Sequence, residues 1–232
     1  MKKIRFIAIL LTICFFYSGC TKDNPIILKE VEDVCEQMDD IKFMEYCYSN
    51  FDVNSDGKVS MIEAAAVKEI YVGKKSITSL NGIEYFTNLE ELECSANKLT
   101  SLDVRKNVKL TELFCNENNL TALDVSKNVK LTVLQLRYNE ITNIDISKNI
   151  ALTDLSCYNN KLTSLDVRKN VALTNLSCSS NNLTSLDVSK NVKLEYLYCR
   201  KNPLEIIYIN NIHKDNIPHN WELPSDVKIE YK

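Results

Sequence analysis

Six potential oxygen donors packed into twelve residues form the most chemically specific arrangement in this chain. Residues 52–63 read Asp-Val-Asn-Ser-Asp-Gly-Lys-Val-Ser-Met-Ile-Glu. Asp52, Asn54 and Asp56 alternate at the first, third and fifth places, where a tight loop turns side-chain oxygens toward one centre. Gly57 permits the sharp turn that follows, and Lys58 offers its backbone carbonyl. Ser60 stands at the ninth place, and Glu63 closes the set with a carboxylate able to bind through both oxygens. Hard oxygens in this number suit calcium and not a soft transition metal. The flanks agree with such a loop. Met44, Tyr48 and Phe51 make an apolar stripe at helical spacing before it, and Ala64 to Val67 continue as a helix after it.

The loop resembles that of an EF-hand, with Val59 at the apolar eighth place that usually pairs with a second hand. No second hand exists in this sequence, so the loop is expected to clip a cap together and not to act as a sensor. It also resembles one half of a dockerin, a module that carries two such loops.

Other chemistry is sparse. The two histidines, His213 and His219, lie in the tail, and the four glycines make no phosphate-binding loop. Nine cysteines would ordinarily suggest a disulfide framework. Five of them, Cys94, Cys115, Cys157, Cys178 and Cys199, share one column of a repeat, and Leu136 occupies that column in one unit. A place that accepts leucine is an apolar core place, so these thiols are expected to be buried and inert. Cys14 and Cys20 fall in the N-terminal segment described below, which leaves Cys35 and Cys47, either as one disulfide or as two thiols.

The repeat supplies the scaffold. Leu89, Leu110, Leu131, Leu152, Leu173 and Leu194 recur every 21 residues, as do Asn97, Asn118, Asn139, Asn160, Asn181 and Asn202. The unit L-x-x-L-x-C-x-x-N-x-L-T-x-L-D-V-x-K-N-x-x is a leucine-rich repeat. It predicts an α/β repeat solenoid, a right-handed superhelix of parallel strands with a helical, EF-hand-like N-terminal cap. Residues 30–69 are assigned to the cap, with Asp39-Asp40 starting a helix that runs to Phe51. Residues 70–204 are assigned to the repeats and 205–232 to a C-terminal cap. Val67, Ile70, Val72 and Ile77 fit the template one rung early, which makes about seven rungs. Leu92 and Cys94 are expected to face inward, with Leu99, Leu102, Val104 and Val108 completing the core. Asp103, Asp124, Asp145, Asp166 and Asp187 form a column that looks like a metal row. Each is followed three residues later by lysine, which makes a screened charge ladder with turn-capping carboxylates the plainer reading.

The start of the chain reads as a targeting segment. Lys2, Lys3 and Arg5 precede an apolar run from Phe6 to Tyr17, which is too short to be a settled membrane span. Ser18-Gly19-Cys20 then resembles a bacterial lipoprotein signal, which implies cleavage of residues 1–19 and lipidation of Cys20. Residues 20–29 would be a tether. Cleavage removes three positive charges and no acid, taking the net charge from −3 to −6. No basic run appears, which argues against nucleic acid and leaves the lipid anchor as the expected membrane contact.

The cysteine column and short unit resemble the ladder repeats of internalin-J-like proteins. With the calcium loop and the signal, nearly all of the mature chain resembles leucine-rich-repeat lipoproteins of Bacteroidota. The resemblance implies a binding protein of the cell envelope, anchored to the outer membrane. No residues assemble into catalytic machinery, so the chain reads as a binder and not an enzyme. The outward strand face is the candidate surface, with Phe114, Arg137, Tyr138, Tyr158, Tyr196, Tyr198 and Arg200 as its aromatic and basic residues. Mixed charge among aromatics favours a protein ligand; the alternative is a carbohydrate-binding accessory.

Overall fold

The computed structural model describes residues 32–232. The signal, Cys20 and the tether lie outside the described residues. No helix among the described residues is long and apolar enough to cross a membrane.

The cap comes first. A 3-10 turn, Val34–Gln37, precedes helix α1 (Ile41–Phe51) and helix α2 (Met61–Ala66). The Asp40 side chain accepts from Lys42 N and Phe43 N, satisfying amides that a helix start leaves unpaired. Its second oxygen takes the amide and hydroxyl of Thr78, both at 2.7 Å, so the same carboxylate ties α1 to the first rung. Phe43 and Phe51 pack on Phe86, with ring centroids 6.4 and 5.5 Å away. Cap and solenoid therefore share one core.

The solenoid is built from three-residue strands, because each rung must turn after few residues to stay in a 21-residue period. In chain order these are β1 (Glu69–Tyr71), β2 (Glu91–Glu93), β3 (Glu112–Phe114), β4 (Val133–Gln135), β5 (Asp154–Ser156) and β6 (Asn175–Ser177). They continue with β7 (Ser185–Asp187), β8 (Tyr196–Tyr198), β9 (Ile206–Ile209), β10 (Trp221–Glu222) and β11 (Lys228–Tyr231). Strands β1 to β6, then β8 and β10, form one parallel sheet of eight. Its register pairs Ile70, Leu92, Leu113, Leu134, Leu155, Leu176 and Leu197, all pointing inward. Strands β7, β9 and β11 pair in parallel as a smaller sheet.

Seven rungs were expected, and the sheet has eight strands. The additional strand is β10, from the tail, where no repeat is legible. Trp221 pairs with Leu197 and is nearly buried, with its ring 4.9 Å from that of His213. An open β8 edge would leave backbone groups unpaired, and the tail supplies their partners.

Polar ladders hold the rungs together. Asn118 donates to the Cys94 carbonyl of the preceding rung while its Oδ1 accepts from Leu99 N. Asn139, Asn160 and Asn181 repeat this geometry. Thr132, Thr153 and Thr174 each donate to the carbonyl of the threonine one rung before. The asparagine ladder also fixes a strained turn. Ala96, Glu117, Tyr138, Asn159, Ser180 and Lys201 take φ of 53° to 55°, the left-handed region that side chains other than glycine, Asn or Asp seldom adopt.

A second asparagine column corrects the expected core. Asn107, Asn128, Asn149, Asn170 and Asn191 are almost completely buried, whereas Val108 beside them is 47 % exposed. The amide goes inside because its Nδ2 meets two carbonyls: Asn149 donates to Val125 and Asn128 at 3.0 and 2.9 Å. Valine in that place would leave those contacts unmade. The Oδ1 atoms of the column find no donor in the structure.

The ladder cysteines are buried free thiols, as is Leu136 in their column buried. Burial pushes Cys115, Cys157 and Cys199 up to about 12, so none is a thiolate at neutral pH. Cys35 and Cys47 are also free and buried, and the neighbouring Cys35 together with burial pushes the Cys47 thiol up.

The two columns should respond differently to truncation. Cys157→Ala is expected to cost about 1 kcal/mol, as a small cavity does. Asn149→Ala removes two buried hydrogen bonds and should cost about 2 kcal/mol. Denaturant unfolding of both variants checks the order; a cheaper asparagine change would mean that the amide column does not hold the rungs.

Candidate functional site

Residues 52–60 form a tight loop between α1 and α2. Ser55 and Gly57 both take positive φ, 60° and 82°, which winds residues 52–57 tightly around the Asp52 carboxylate. Asp52 accepts from Asp56 N at 3.1 Å and Gly57 N at 3.0 Å. Val59 pairs with the chain through its backbone, as the eighth place should, but with Val34: Val34 N donates to Val59 O at 2.9 Å. Asp33 completes that link by accepting from Val59 N and from the Tyr48 hydroxyl. The segment before α1 thus pairs with the loop.

Side-chain oxygens in the loop are directed at amides. Glu63 Oε1 accepts from Val53 and Asn54, and Oε2 accepts from Ser60, forming a capping box for α2. The Ser60, Asn54 and Val53 amides hold its carboxyl below the usual range, against the opposing effect of desolvation. Asp56 Oδ1 accepts from Lys58 N, and Asp56 Oδ2 from the Asn54 amide. Among the described residues no three carboxylate, imidazole or thiol side chains converge as a metal cluster. The donor set suits a hard cation: each oxygen of Asp52 and Asp56 accepts one donor and keeps a lone pair free, whereas Glu63, whose two oxygens accept four donors, would have to release some of them.

The aspartate column is a set of turn caps. Asp124 and Asp145 accept from the amide two residues on, as do the others. Charge pairing differs from the expected lysine partners. Asp103 and Asp166 pair with Arg105 and Arg168, at 2.7 and 2.8 Å, because a planar fork two residues away reaches both oxygens. Those guanidinium groups hold Asp103 and Asp166 down at about 2.

The outward strand face does not gather its aromatic and basic residues at one point. Phe114 stands on β3, between Glu93 and Gln135 in register. Tyr196 and Tyr198 stand on β8, several strands away. Arg137, Tyr138, Tyr158 and Arg200 lie beyond the strand ends, in the turn. There Tyr138 and Tyr158 meet edge to face at 5.1 Å, and Arg200 pairs with Glu222 at 3.5 Å. At the other end of the face, Tyr71 bridges Glu69 and Glu91.

What the face does contain is a notch of about 410 Å³. Tyr196 and Tyr198 form one wall, Gln135 and Arg137 the opposite one, and Ser156 and Ser177 the floor. Asp154 and Asn175, hydrogen-bonded at 3.1 Å, line it as well. The Arg137 guanidinium, which lines the notch, is held by Gln135 and Asn116. Ser156, Ser177 and Asn175 lie outside the expected face residues, which were the large aromatic and basic ones. The available signal was the reverse, two consecutive rungs whose outward places are small.

Comparison with known proteins agrees on the fold. A family described as Leucine Rich repeat matches residues 127–148. No curated protein matches. Internalin C2 of Listeria monocytogenes is similar in structure at a TM-score of 0.65 and 17 % identity, covering 88 % of this chain and 99 % of that one. The leucine-rich repeat domain of APL1B is similar at 0.54 and 20 % identity, over 64 % of this chain and 50 % of that one. The functional domain of InlJ from Listeria monocytogenes, which includes a cysteine ladder, is similar at 0.42 and 23 % identity; the match covers 87 % of this chain and 61 % of that one. The chain has the leucine-rich-repeat solenoid fold.

The aspartate caps generate a prediction about acid stability. A carboxyl near pKa 2 in the fold and about 4 when unfolded stabilises the protein fully above about pH 4. That contribution drains away as pH falls toward 2. Asp103→Asn should therefore flatten the acid limb of melting temperature against pH, by a small amount since the pair is more than half exposed. Superimposable acid limbs would assign the pairing no energetic role.

Proposed function

We infer that this is an exported, lipid-anchored recognition protein that presents its strand face to a protein ligand and has no catalytic role. The observation that carries this reading is the notch between Arg137 and the Tyr196–Tyr198 wall. Tyrosine and arginine around a recess of small residues are the composition of a binding hot spot, where a protruding side chain of a partner loses its water. A saccharide is the second reading, favoured by the hydroxyl and carboxamide groups of Ser156, Ser177 and Asn175 beside an aromatic wall. Tyr198→Ala and Arg137→Ala should each weaken ligand binding by more than tenfold with little change in melting temperature. A photo-crosslinker at position 198 should capture the ligand and one at position 143, away from the strand face, should not. Equal capture from both positions would remove the strand face from the account.

Calcium is assigned to the Asp52–Glu63 loop as a clip for the cap, held by Asp52, Asn54, Asp56, the Lys58 carbonyl, Ser60 and Glu63. When bound, it would neutralise three carboxylates and replace some of the amide contacts of Glu63. Weak binding, roughly 10⁻⁴ to 10⁻³ M, suits a calcium-rich exterior. At tenfold excess over Kd the gain is about 1.4 kcal/mol, a shift of a few degrees in melting. Glu63→Ala should abolish the shift and Asp103→Ala should keep it. Absence of a calorimetric heat at millimolar calcium would reduce the loop to a turn.

Export and anchoring rest on the Ser18-Gly19-Cys20 pattern, with Cys20 carrying the lipid and the outer membrane as the destination. Cys20→Ala should move the protein from the membrane fraction to the soluble one. An unmodified mature N-terminus by mass spectrometry would overturn this assignment.

A further inference from the structure

One flank of the solenoid carries an apolar column that the fold leaves uncovered. Val108, Val129, Ile150, Val171 and Val192 are 47, 50, 61, 51 and 48 % exposed. They stand in successive rungs, in the turn that brings the chain back to each strand. With rungs about 4.8 Å apart, they form a ridge roughly 19 Å long. Ala151 and Ala172 follow Ile150 and Val171 and widen the strip there. Single exposed aliphatic residues need no explanation, but an unbroken row of β-branched ones does.

Cations border this ridge on both sides. Lys106, Lys127, Lys148, Lys169 and Lys190 precede it by two residues; all five are exposed, and none forms an ion pair among the described residues. Lys109, Lys130 and Lys193 follow it and are exposed too. The neighbouring aspartates stay ionised while they cap turn amides, and Glu90 lies close to Lys109 and Lys130. Against Glu90 and the five aspartates stand these eight lysines with Arg105 and Arg168, so cations remain in excess. Lysines 21 residues apart in the chain thus become neighbours on the surface. A cationic strip arises in a protein of negative net charge that has no basic run.

We propose that this flank is a membrane-docking surface. It seats the aliphatic ridge at the boundary of an anionic phospholipid bilayer and places the lysine rows among the headgroup phosphates. The pairing of apolar side chains with flanking lysines is what the interface of a bilayer rewards. A nucleic acid would match the lysines but leave the ridge in water. Ridge-to-ridge pairing with a second copy would set lysine rows against lysine rows. Docked this way, the solenoid lies on its flank with the strand face open to the side. The proposal depends neither on lipidation of Cys20 nor on the ligand of the notch.

The test uses residues 31–232, which form a compact unit of their own and lack Cys20. Co-sedimentation compares vesicles of phosphatidylcholine with an equimolar mixture of phosphatidylcholine and phosphatidylglycerol. Binding to the mixed vesicles alone is expected. The triple variant Lys127→Gln, Lys148→Gln, Lys169→Gln should weaken it on the order of a hundredfold. The variant Val129→Ser, Ile150→Ser, Val171→Ser should weaken it at least tenfold at unchanged salt dependence. Equal binding to both vesicle types, binding to neither, or undiminished binding in the lysine variant would overturn the proposal. So would a ridge-dependent dimer in solution without vesicle binding, which would give the ridge to a second copy.

Discussion

The structure depends on satisfying the backbone of a rung with polar groups from the rung after it. Strands of three residues supply too few ladder hydrogen bonds to hold a turn of 21 residues, and the remaining amides and carbonyls are buried. Asparagine meets this need on both flanks because one side chain carries donors and an acceptor. On the flank where the chain leaves the strand, Asn118 bridges the Cys94 carbonyl and the Leu99 amide. On the flank where the chain returns, Asn149 ties two carbonyls from its buried place. Each rung is therefore a template for the next, and a slipped period would orphan several groups at once.

A templated stack has two ends, and each is closed by a different device. At the first rung Asp40 caps α1 and grips Thr78, so the helix and the rung are bound by one carboxylate. Asp33 then links the loop to α1 through Tyr48 and Val59. The loop consequently sits at the foot of the solenoid, where a change in its conformation reaches the first rung through packed aromatic rings. At the last rung β10 and β11 cover the open edges of both sheets. Lys232 lies 3.3 Å from the Tyr208 ring and pairs with Asp187, closing the corner between them.

Between those ends the period sorts side chains into faces. Leucine, cysteine and asparagine go inside because the repeat gives them apolar neighbours or carbonyl partners. Places with neither obligation are free to vary, and they vary most along the strands. There acidic residues give way to small ones and then to tyrosine, and the notch appears where size drops. The returning flank varies least, keeping lysine and a β-branched residue through five rungs, although no contact within the fold requires either.

Much of this was legible from spacing alone. A 21-residue period of Leu, Cys and Asn determines parallel strands, an inward Leu92–Leu113 register and buried thiols, since each rung repeats one environment. The Asp52–Glu63 loop was equally plain, because its turn is set by local residue types. Three features needed the tertiary structure. The eighth strand is not a repeat, and Trp221 joins the sheet only because β8 presents an edge. Val108 stands outside and Asn107 beside it stands inside, since hydropathy favours the valine while the carbonyls of the preceding rung favour the amide. Finally, the notch and the cationic ridge bring together residues that are 21 or more apart in the chain. Periodicity lists such residues separately, and only stacking at one rung spacing makes them a surface.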